Sequence, residues 1–483
     1  MAASIQDKNR RVIPQWRTAA TSTELRELDS LLPASPRVQA DLTIVDERIR
    51  EWESHATPAF AAEVLAAATM AGIPKRAEDA ARFIVRQEER VPAPVRWLAR
   101  QILDPDHAED DRGATNRIRF LRKILNDDPR NAIRWVELAR EYAAVGLLPK
   151  SISAMTVAVE LAPDIRYVVR SAARLFVHAG DADRAQFTLK AGDVENDPWI
   201  MAAEIAVSSV LGKASENLRR ARKLLESSRF APRHISELAS ALATVEIDDG
   251  NTRHARKHLR QALIEPNSNS VGQVRWAQKL VDLEINETAF SVSRAFEARA
   301  WHNFYSASWE NALRESQEWQ DDEPYSSRPP ALGSYVAATI LQDYATAIRM
   351  TRLGLTANPS DPLLMNNLIY SLICAGELGE ASQRMERFKE VELKPPESLL
   401  RTATEGLLHF RTGRPESGRE HYESAIAEAH RGNHKLLLAR AAVILALEEQ
   451  HARSPYAESA RLRALEVARQ IPDADLAVIL RRL

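Results

Sequence analysis

The sequence is poor in several things, and each shortage narrows what it can be. It holds one cysteine, Cys374, in 483 residues. No internal disulfide is open to it, which fits a reducing compartment, where such bridges are rare. Cys374 sits in the apolar helical pattern LIYSLICAGELGEA and reads as inert core, because buried thiols behave as small hydrophobes. Glycine is scarce, at 16 residues, and abundant Ala, Leu, Arg and Glu then favour helix throughout. Long apolar runs are missing: FAAEVLAAATMAGI is broken by Glu63 and AAVILAL is shorter still, so neither reaches bilayer length. The first 40 residues lack the continuous apolar stretch of a secretory signal. Charge is nearly balanced, 65 basic against 67 acidic residues, which argues against a generic polyanion binder. With an apolar fraction of 45% the expectation is a globular, soluble, cytoplasmic protein with no membrane partner.

Catalytic signatures are also missing. Gly212-Lys213 lacks the upstream Gly and following Ser/Thr of a phosphate-binding loop. There is no HExxH, no Gly-x-Ser-x-Gly and no Cys pair for zinc. The acidic stretch DPDHAEDDRGA fails as a calcium loop, because Ala108 stands at the fifth ligand place and Glu109 where Gly is required. His254 and His258 share a helix face at i, i+4, but two His with no Cys or carboxylate partner read as surface. Catalytic residues, cofactor and metal are all expected to be absent.

What is present is a repeat. In AIRWVELAREYAAVGLLPKSISAMTVAVELAPDI, Trp135, Leu138, Ala139 and Tyr142 fall on one helix face. Gly146 ends that helix. A second helix carries Ser151, Met155 and Ala158, and Pro163 stops it. The same frame returns with Ala172, Ala173, Phe176, Gly180 and Ala185. It returns again with Leu242, Ala243, Gly250, Ala255, Ala262 and Pro266, and once more with Leu368, Gly376, Ala381 and Phe388. Weaker copies cover about 58–91, 196–235, 293–327, 328–361 and 399–432. The pattern resembles the tetratricopeptide repeat, a 34-residue helix-turn-helix unit. The opening of the chain is similar to that of long bacterial repeat proteins. The resemblance implies an all-α superhelical solenoid of TPR-like pairs, in which Ala at the crossings lets helices approach to about 8–10 Å and stacked neighbours bury each other's apolar faces.

Along the chain we expect an arm (1–40), degenerate helical repeats (41–127), a regular array (128–268) and a joint helix (269–287). A second array (288–432) containing the polar loop DDEPYSSRPPA follows, then polar capping helices (433–483). The resemblance implies that first helices line a concave groove. The groove-facing candidates are then Val136, Arg140, Arg170, Arg174, His178, Asn366 and Tyr370. Arg170 and Arg174, at i, i+4 with Arg140 one repeat earlier, form a cationic patch for a carboxylate. The alternative is that these Arg residues bond to neighbouring acids. Family members that clamp a C-terminal carboxylate use Lys and Asn where this chain has Val136, Arg140 and Ser171, so that specificity is disfavoured.

A second candidate is a basic stripe: Arg219, Arg220, Arg222 and Lys223 on one outer helix, with Arg253, Arg256, Lys257 and Arg260 on the next. Between Lys213 and Arg260 there are eleven basic and six acidic residues. Such a stripe touches phosphates in a salt-dependent way, but neither helix carries an aromatic for base stacking. The arm segment NRRVIPQWR is the third candidate. As a strap, Val12, Ile13 and Trp16 bury against the protein's own helices, with Pro14 keeping the chain extended; as a hook, they enter a partner. Burying that trio contributes about 4–8 kcal/mol before ordering entropy. The functional expectation is a non-catalytic scaffold holding a protein or peptide partner in its groove, including an enzyme it regulates. The alternative is a regulator contacting nucleic acid through the stripe beside a nuclease or ATPase.

Overall fold

The computed structural model describes residues 15–19, 21–22, 42–70, 74–87, 91, 93–103, 114–191, 197–227 and 229–483. Val12, Ile13 and Pro14 of the arm, and the acidic loop with Ala108 and Glu109, lie outside them. The chain divides into two units, one of residues 20–129 and one of residues 1–19 with 130–483. Among the described residues every regular element is a helix, so the fold is the all-α solenoid expected from the sequence.

The smaller unit contains α1 (Leu42–Ser54), α2 (Pro58–Met70), α3 (Glu78–Arg86), α4 (Ala93–Leu103) and α5 (Ala114–Asp127). Its core is made by Val45, Val64, Leu65, Ala81, Ile84 and Ile102. Small residues there, Ala61, Ala68 and Ala80, are fully buried where helices cross.

The larger unit is a run of helix pairs. They are α6 (Ala132–Ala144) with α7 (Leu148–Leu161), α8 (Arg166–His178) with α9 (Ala182–Ala191), α10 (Pro198–Val210) with α11 (Leu218–Glu226), and α12 (Pro232–Asp248) with α13 (Thr252–Ala262). A single helix, α14 (Ser268–Val281), packs on α12 and α13 and then on α15, so it carries the stack forward across the segment where the repeat frame breaks. Then come α15 (Phe296–Tyr305) with α16 (Trp309–Asp322), α17 (Arg328–Tyr335) with α18 (Tyr344–Ala357), α19 (Pro362–Ala375) with α20 (Leu378–Lys389), and α21 (Glu397–Arg411) with α22 (Pro415–Arg431). The chain ends in α23 (Lys435–His451), α24 (Ala457–Ala468) and α25 (Ala474–Leu480). Helix starts follow side-chain chemistry: Asn131, Asp197, Asn267, Asp343, Asp361 and Asp473 each accept a hydrogen bond from a first-turn amide.

The turn of the first pair shows how the sequence makes this happen. Gly146 has φ +73°. Its amide donates to the Ala143 carbonyl at 3.0 Å and the Leu147 amide to the Tyr142 carbonyl at 2.8 Å, the paired bonds that satisfy the last carbonyls of a helix. Gly146 has a second task. A Cβ there would sit 2.3 Å from the Thr356 carbonyl oxygen of α18. The first hairpin of the array therefore touches the end of a helix some two hundred residues later, and α6 packs against α18. The stack closes on itself.

The two tasks can be separated. Gly180 has φ +79° with open space around it, so Gly180→Ala is expected to cost only the left-handed backbone penalty, about 1–2 kcal/mol. Gly146→Ala adds a backbone clash and is expected to cost about 1–3 kcal/mol more. Equal shifts of the two variants in urea unfolding would show that the closure is not tight.

Candidate binding groove

Gln15, Trp16, Arg17 and Thr18 lie within the closed stack, and Trp16 and Arg17 are gripped through their backbone as well as their side chains. The Trp16 amide donates to the Tyr325 hydroxyl at 3.1 Å, and the Trp16 carbonyl accepts from Tyr325 at 3.3 Å and from Arg140 Nε at 3.4 Å. The Arg17 carbonyl accepts from the Tyr167 hydroxyl at 2.9 Å. These are main-chain bonds, of the kind that holds any extended peptide. Side chains add the rest. Trp16 is 0% exposed, with its ring 5.2 Å from that of Tyr325. The buried Arg17 guanidinium donates to Asp322 Oδ2 at 2.8 Å, Ser268 Oγ at 2.9 Å and the Arg294 carbonyl at 2.8 Å. Among the described residues of the arm, Trp16 thus behaves as an internal strap.

The loop that receives the strap reads as polar in the sequence. It is buried instead: Asp322, Glu323, Tyr325 and Ser326 are nearly inaccessible. Asp322 takes Arg17 and Arg294. Burial pushes the Glu323 carboxyl above its usual range, against the pull of Arg174. The charges in DDEPYSSRPPA mislead because their partners lie outside the loop, from Arg294 and Glu297 about one repeat earlier to Arg17, 305 positions away.

The predicted groove cations are used internally as well. Arg140 donates to the Asp322 carbonyl at 2.8 Å and pairs with Glu141. Arg170, 1% exposed, donates to Glu237 Oε2 at 2.7 Å and to the Trp199 carbonyl, and lies 4.9 Å over the Trp199 ring. Arg174 lies 5.4 Å over Tyr325, and the His178 ring is 5.8 Å from it. Arg140, Arg174 and His178 therefore converge on Tyr325 and the arm, while Arg170 points into a buried ion pair. The cationic patch for a foreign carboxylate is not assembled, because every guanidinium of the set already has a partner inside the protein. Val136, also taken as groove-facing, is fully buried.

Asn366 and Tyr370 stand elsewhere, on α19, at a cavity of about 80 Å³. Leu400, Ala403, Tyr422 and Arg440 share its lining. Ala338 and Thr339 line it from a π turn, Val336–Leu341, which continues α17. The wall is apolar but carries unmet polar atoms: Asn366 Oδ1 and Arg440 Nε and Nη1 are buried without a hydrogen-bond partner. Arg440 Nη2 is held by Asp475 Oδ2 at 2.5 Å, and Tyr335 donates to the same oxygen. Asp475 lies on α25, so the last helix reaches back to the π turn, where Arg482 also donates to the Ile340 carbonyl at 2.7 Å. Cys374, one turn on from Tyr370, packs in the neighbouring core, and burial raises its thiol to about 11. Sequence reasoning found Asn366 and Tyr370 but missed Arg440, whose helix reads simply as a cap.

On the outer side, Arg219, Arg220 and Lys223 of α11 and Arg253, Lys257 and Arg260 of α13 are exposed, with Arg222 and Arg256 half-buried. Arg222 pairs with Glu246 at 2.8 Å. Gln261 of α13 donates to the Leu225 carbonyl of α11 at 3.3 Å, joining the two helices. His258 is half-buried near Glu246, and burial lowers its pKa, so this pair is less of a free surface than its sequence suggested.

The repeat frame itself is now testable in three dimensions. Leu138, Ala139, Ser151 and Ala158 are buried in the first pair, with Ser151 Oγ donating to the Ala139 carbonyl at 2.7 Å. Ala172, Ala173, Phe176 and Ala185 hold the same places in the second, Leu242, Ala243, Ala255 and Ala262 in the third, Leu368, Ala381 and Phe388 in the fourth. The turns Gly146, Gly180, Gly250 and Gly376 have φ between +73° and +85°. The chain is tetratricopeptide-like.

No family model matches this TPR-like chain, and no curated protein does. Solved structures do. Human IFIT1, solved as a dimer with PPP-AAAA, is 17% identical over 70% of this chain and 90% of its own, with a TM-score of 0.37. Yeast Tom70 is 14% identical over 81% and 96%, with a TM-score of 0.32. A tetratricopeptide repeat protein from Parabacteroides merdae is 15% identical over 56% and 96%, with a TM-score of 0.27. Among the described residues no helix is long and apolar enough to cross a membrane.

Two expectations follow for the TPR-like groove. Trp16→Ala empties a fully enclosed site and is expected to cost about 3–5 kcal/mol, and removal of residues 1–20 to lower the melting temperature likewise. An unchanged melt would place the arm outside the stack. Burial, then Arg174, lowers the His178 pKa from 6.5 to about 4. Between those values the unfolded chain binds a proton that the folded chain refuses, so stability falls as pH drops through the window, by at most about 1.4 kcal/mol per pH unit. His178→Gln is expected to flatten that slope in urea melts.

Proposed function

We propose that this protein is a non-catalytic scaffold that works in the cytoplasm by holding an extended segment of a protein partner on the inner face of its superhelix. The observation that carries this reading is the arm. Trp16 and Arg17 show that the inner face grips an extended peptide through its backbone groups, using Tyr325, Arg140 and Tyr167. In the first part of the stack that capacity is taken up by the chain's own N-terminal segment. The cavity at Asn366, Tyr370 and Arg440 is where a partner segment enters. An apolar side chain fills the cavity, and a peptide group supplies a donor for Asn366 Oδ1 and an acceptor for Arg440 Nη1, which buried polar groups require. A stoichiometric protein recovered on the wild-type chain from its native host, and lost on Ala403→Trp with melting unchanged, is the expected result. Equal recovery on Ala403→Trp would reject the cavity as the site.

A second reading rests on the outer cations. Six exposed Lys and Arg side chains on two joined helices present a positive face, suited to the phosphates of a nucleic acid acting beside a nuclease or ATPase partner. It predicts a gel shift that weakens steeply with salt and disappears when Arg219, Lys223, Arg253 and Lys257 are reversed to Glu. No shift at low salt ends it.

A further inference from the structure

We infer that α21 and α22 carry a zinc site formed by Glu405, His409 and His421. One carboxylate oxygen of Glu405 and one ring nitrogen of each His lie within 4.8 Å of one another. The closest pairs are Glu405 Oε2 to His421 Nε2 at 3.6 Å and Glu405 Oε1 to His409 Nε2 at 3.9 Å. Zinc bound tetrahedrally, with ligand bonds of about 2.0–2.2 Å, brings its ligand atoms to nearly this separation, so small rotamer adjustments complete the set.

The convergence has a backbone cause. Gly406 and Gly418 face each other across the two helices: a Cβ on Gly406 would sit 2.9 Å from the Gly418 carbonyl oxygen, and the reverse distance is also 2.9 Å. That close approach lets the short imidazole of His421 on α22 reach Glu405 and His409, which are i, i+4 on one face of α21. The His rings lie 4.8 Å apart.

One further feature suits a metal. His421 Nδ1 lies 2.8 Å from the Ser417 carbonyl, so Nδ1 carries the proton and Nε2 keeps its lone pair toward Glu405, the orienting bond that ligating His residues use. His409 presents Nε2 to Glu405, and its Nδ1 is buried with no hydrogen-bond partner, so His409 lacks the orienting bond that His421 has. Two imidazoles and one carboxylate, with a fourth position open to water, select zinc over the hard cations magnesium and calcium. One group competes. Lys389 Nζ lies 2.7 Å from Glu405 Oε1 and also donates to Glu386 Oε1 at 3.0 Å, so zinc takes Oε2 or displaces the ammonium.

The test uses the full chain stripped with chelator and titrated with Zn²⁺, with Co²⁺ as a spectroscopic substitute. One zinc per chain, a raised melting temperature and the visible absorption of tetrahedral Co²⁺ are expected. His421→Gln and His409→Gln, whose melts without metal should match the wild type, are expected to weaken zinc by at least about 10–100-fold. Lys389→Met removes the competitor and is expected to tighten it, which keeps the test decisive if a His variant folds poorly. Three results overturn the proposal: no zinc-dependent melting shift, equal affinity in the His409→Gln/His421→Gln double variant, or an affinity unchanged or weakened by Lys389→Met. Loss of binding in His254→Gln/His258→Gln would likewise assign the metal to the other His pair and overturn it.

Discussion

The larger unit depends on a single buried contact set, the one around the Arg17 guanidinium and the Trp16 peptide. Arg17 ties together Asp322, Ser268 and the Arg294 carbonyl, and Trp16 adds Tyr325 and Arg140. Those residues come from α6, the start of α14, the turn before α15, the end of α16 and the loop after it. A buried guanidinium is tolerable only when its donors and charge are met, since an uncompensated buried charge costs about 3–5 kcal/mol. Here Asp322 meets it, and Asp322 is itself shared with Arg294. The inner surface of the array is therefore built around a polar pin with an aromatic cover.

This arrangement changes what the groove is for. In an open array, first helices display their inward side chains to solvent. Here Arg140, Arg174 and His178 face Tyr325 and the arm, and a separate cavity is lined by α19, α21 and α23. There the last helix, through Asp475, fixes Arg440 against Tyr335. Both ends of the chain thus take part in shaping the inner face, the N-terminal arm by filling one part and α25 by bracing another.

How much of this was legible follows from the range of each interaction. The repeat frame was legible because it is local: an apolar face, a left-handed Gly turn and small crossing residues all fall within one 34-residue window. Trp16 as a strap was legible as one of two options, because a Trp beside Val and Ile in a periodless arm needs burial somewhere. Its partner was not, since Tyr325 is 309 positions away and sits in a stretch whose charges imitate a solvated loop. Arg170 looked like a surface cation because its acceptor, Glu237, is two repeats further on. Glu405 and His409, an i, i+4 pair, were not singled out from the sequence, and His421 joins them only through the facing of Gly406 and Gly418, a relation between two helices that no single-helix pattern records.

The contact of Gly146 with Thr356 bears on how the array comes apart. Stacked repeats ordinarily lose order from their ends, one unit at a time, because each touches only its neighbours. Once the first hairpin is clasped to α18, the eleventh helix after it, that end of the array is no longer free. Fraying must break the clasp and the pin together, so the stretch from α6 to α18 should melt as one cooperative block.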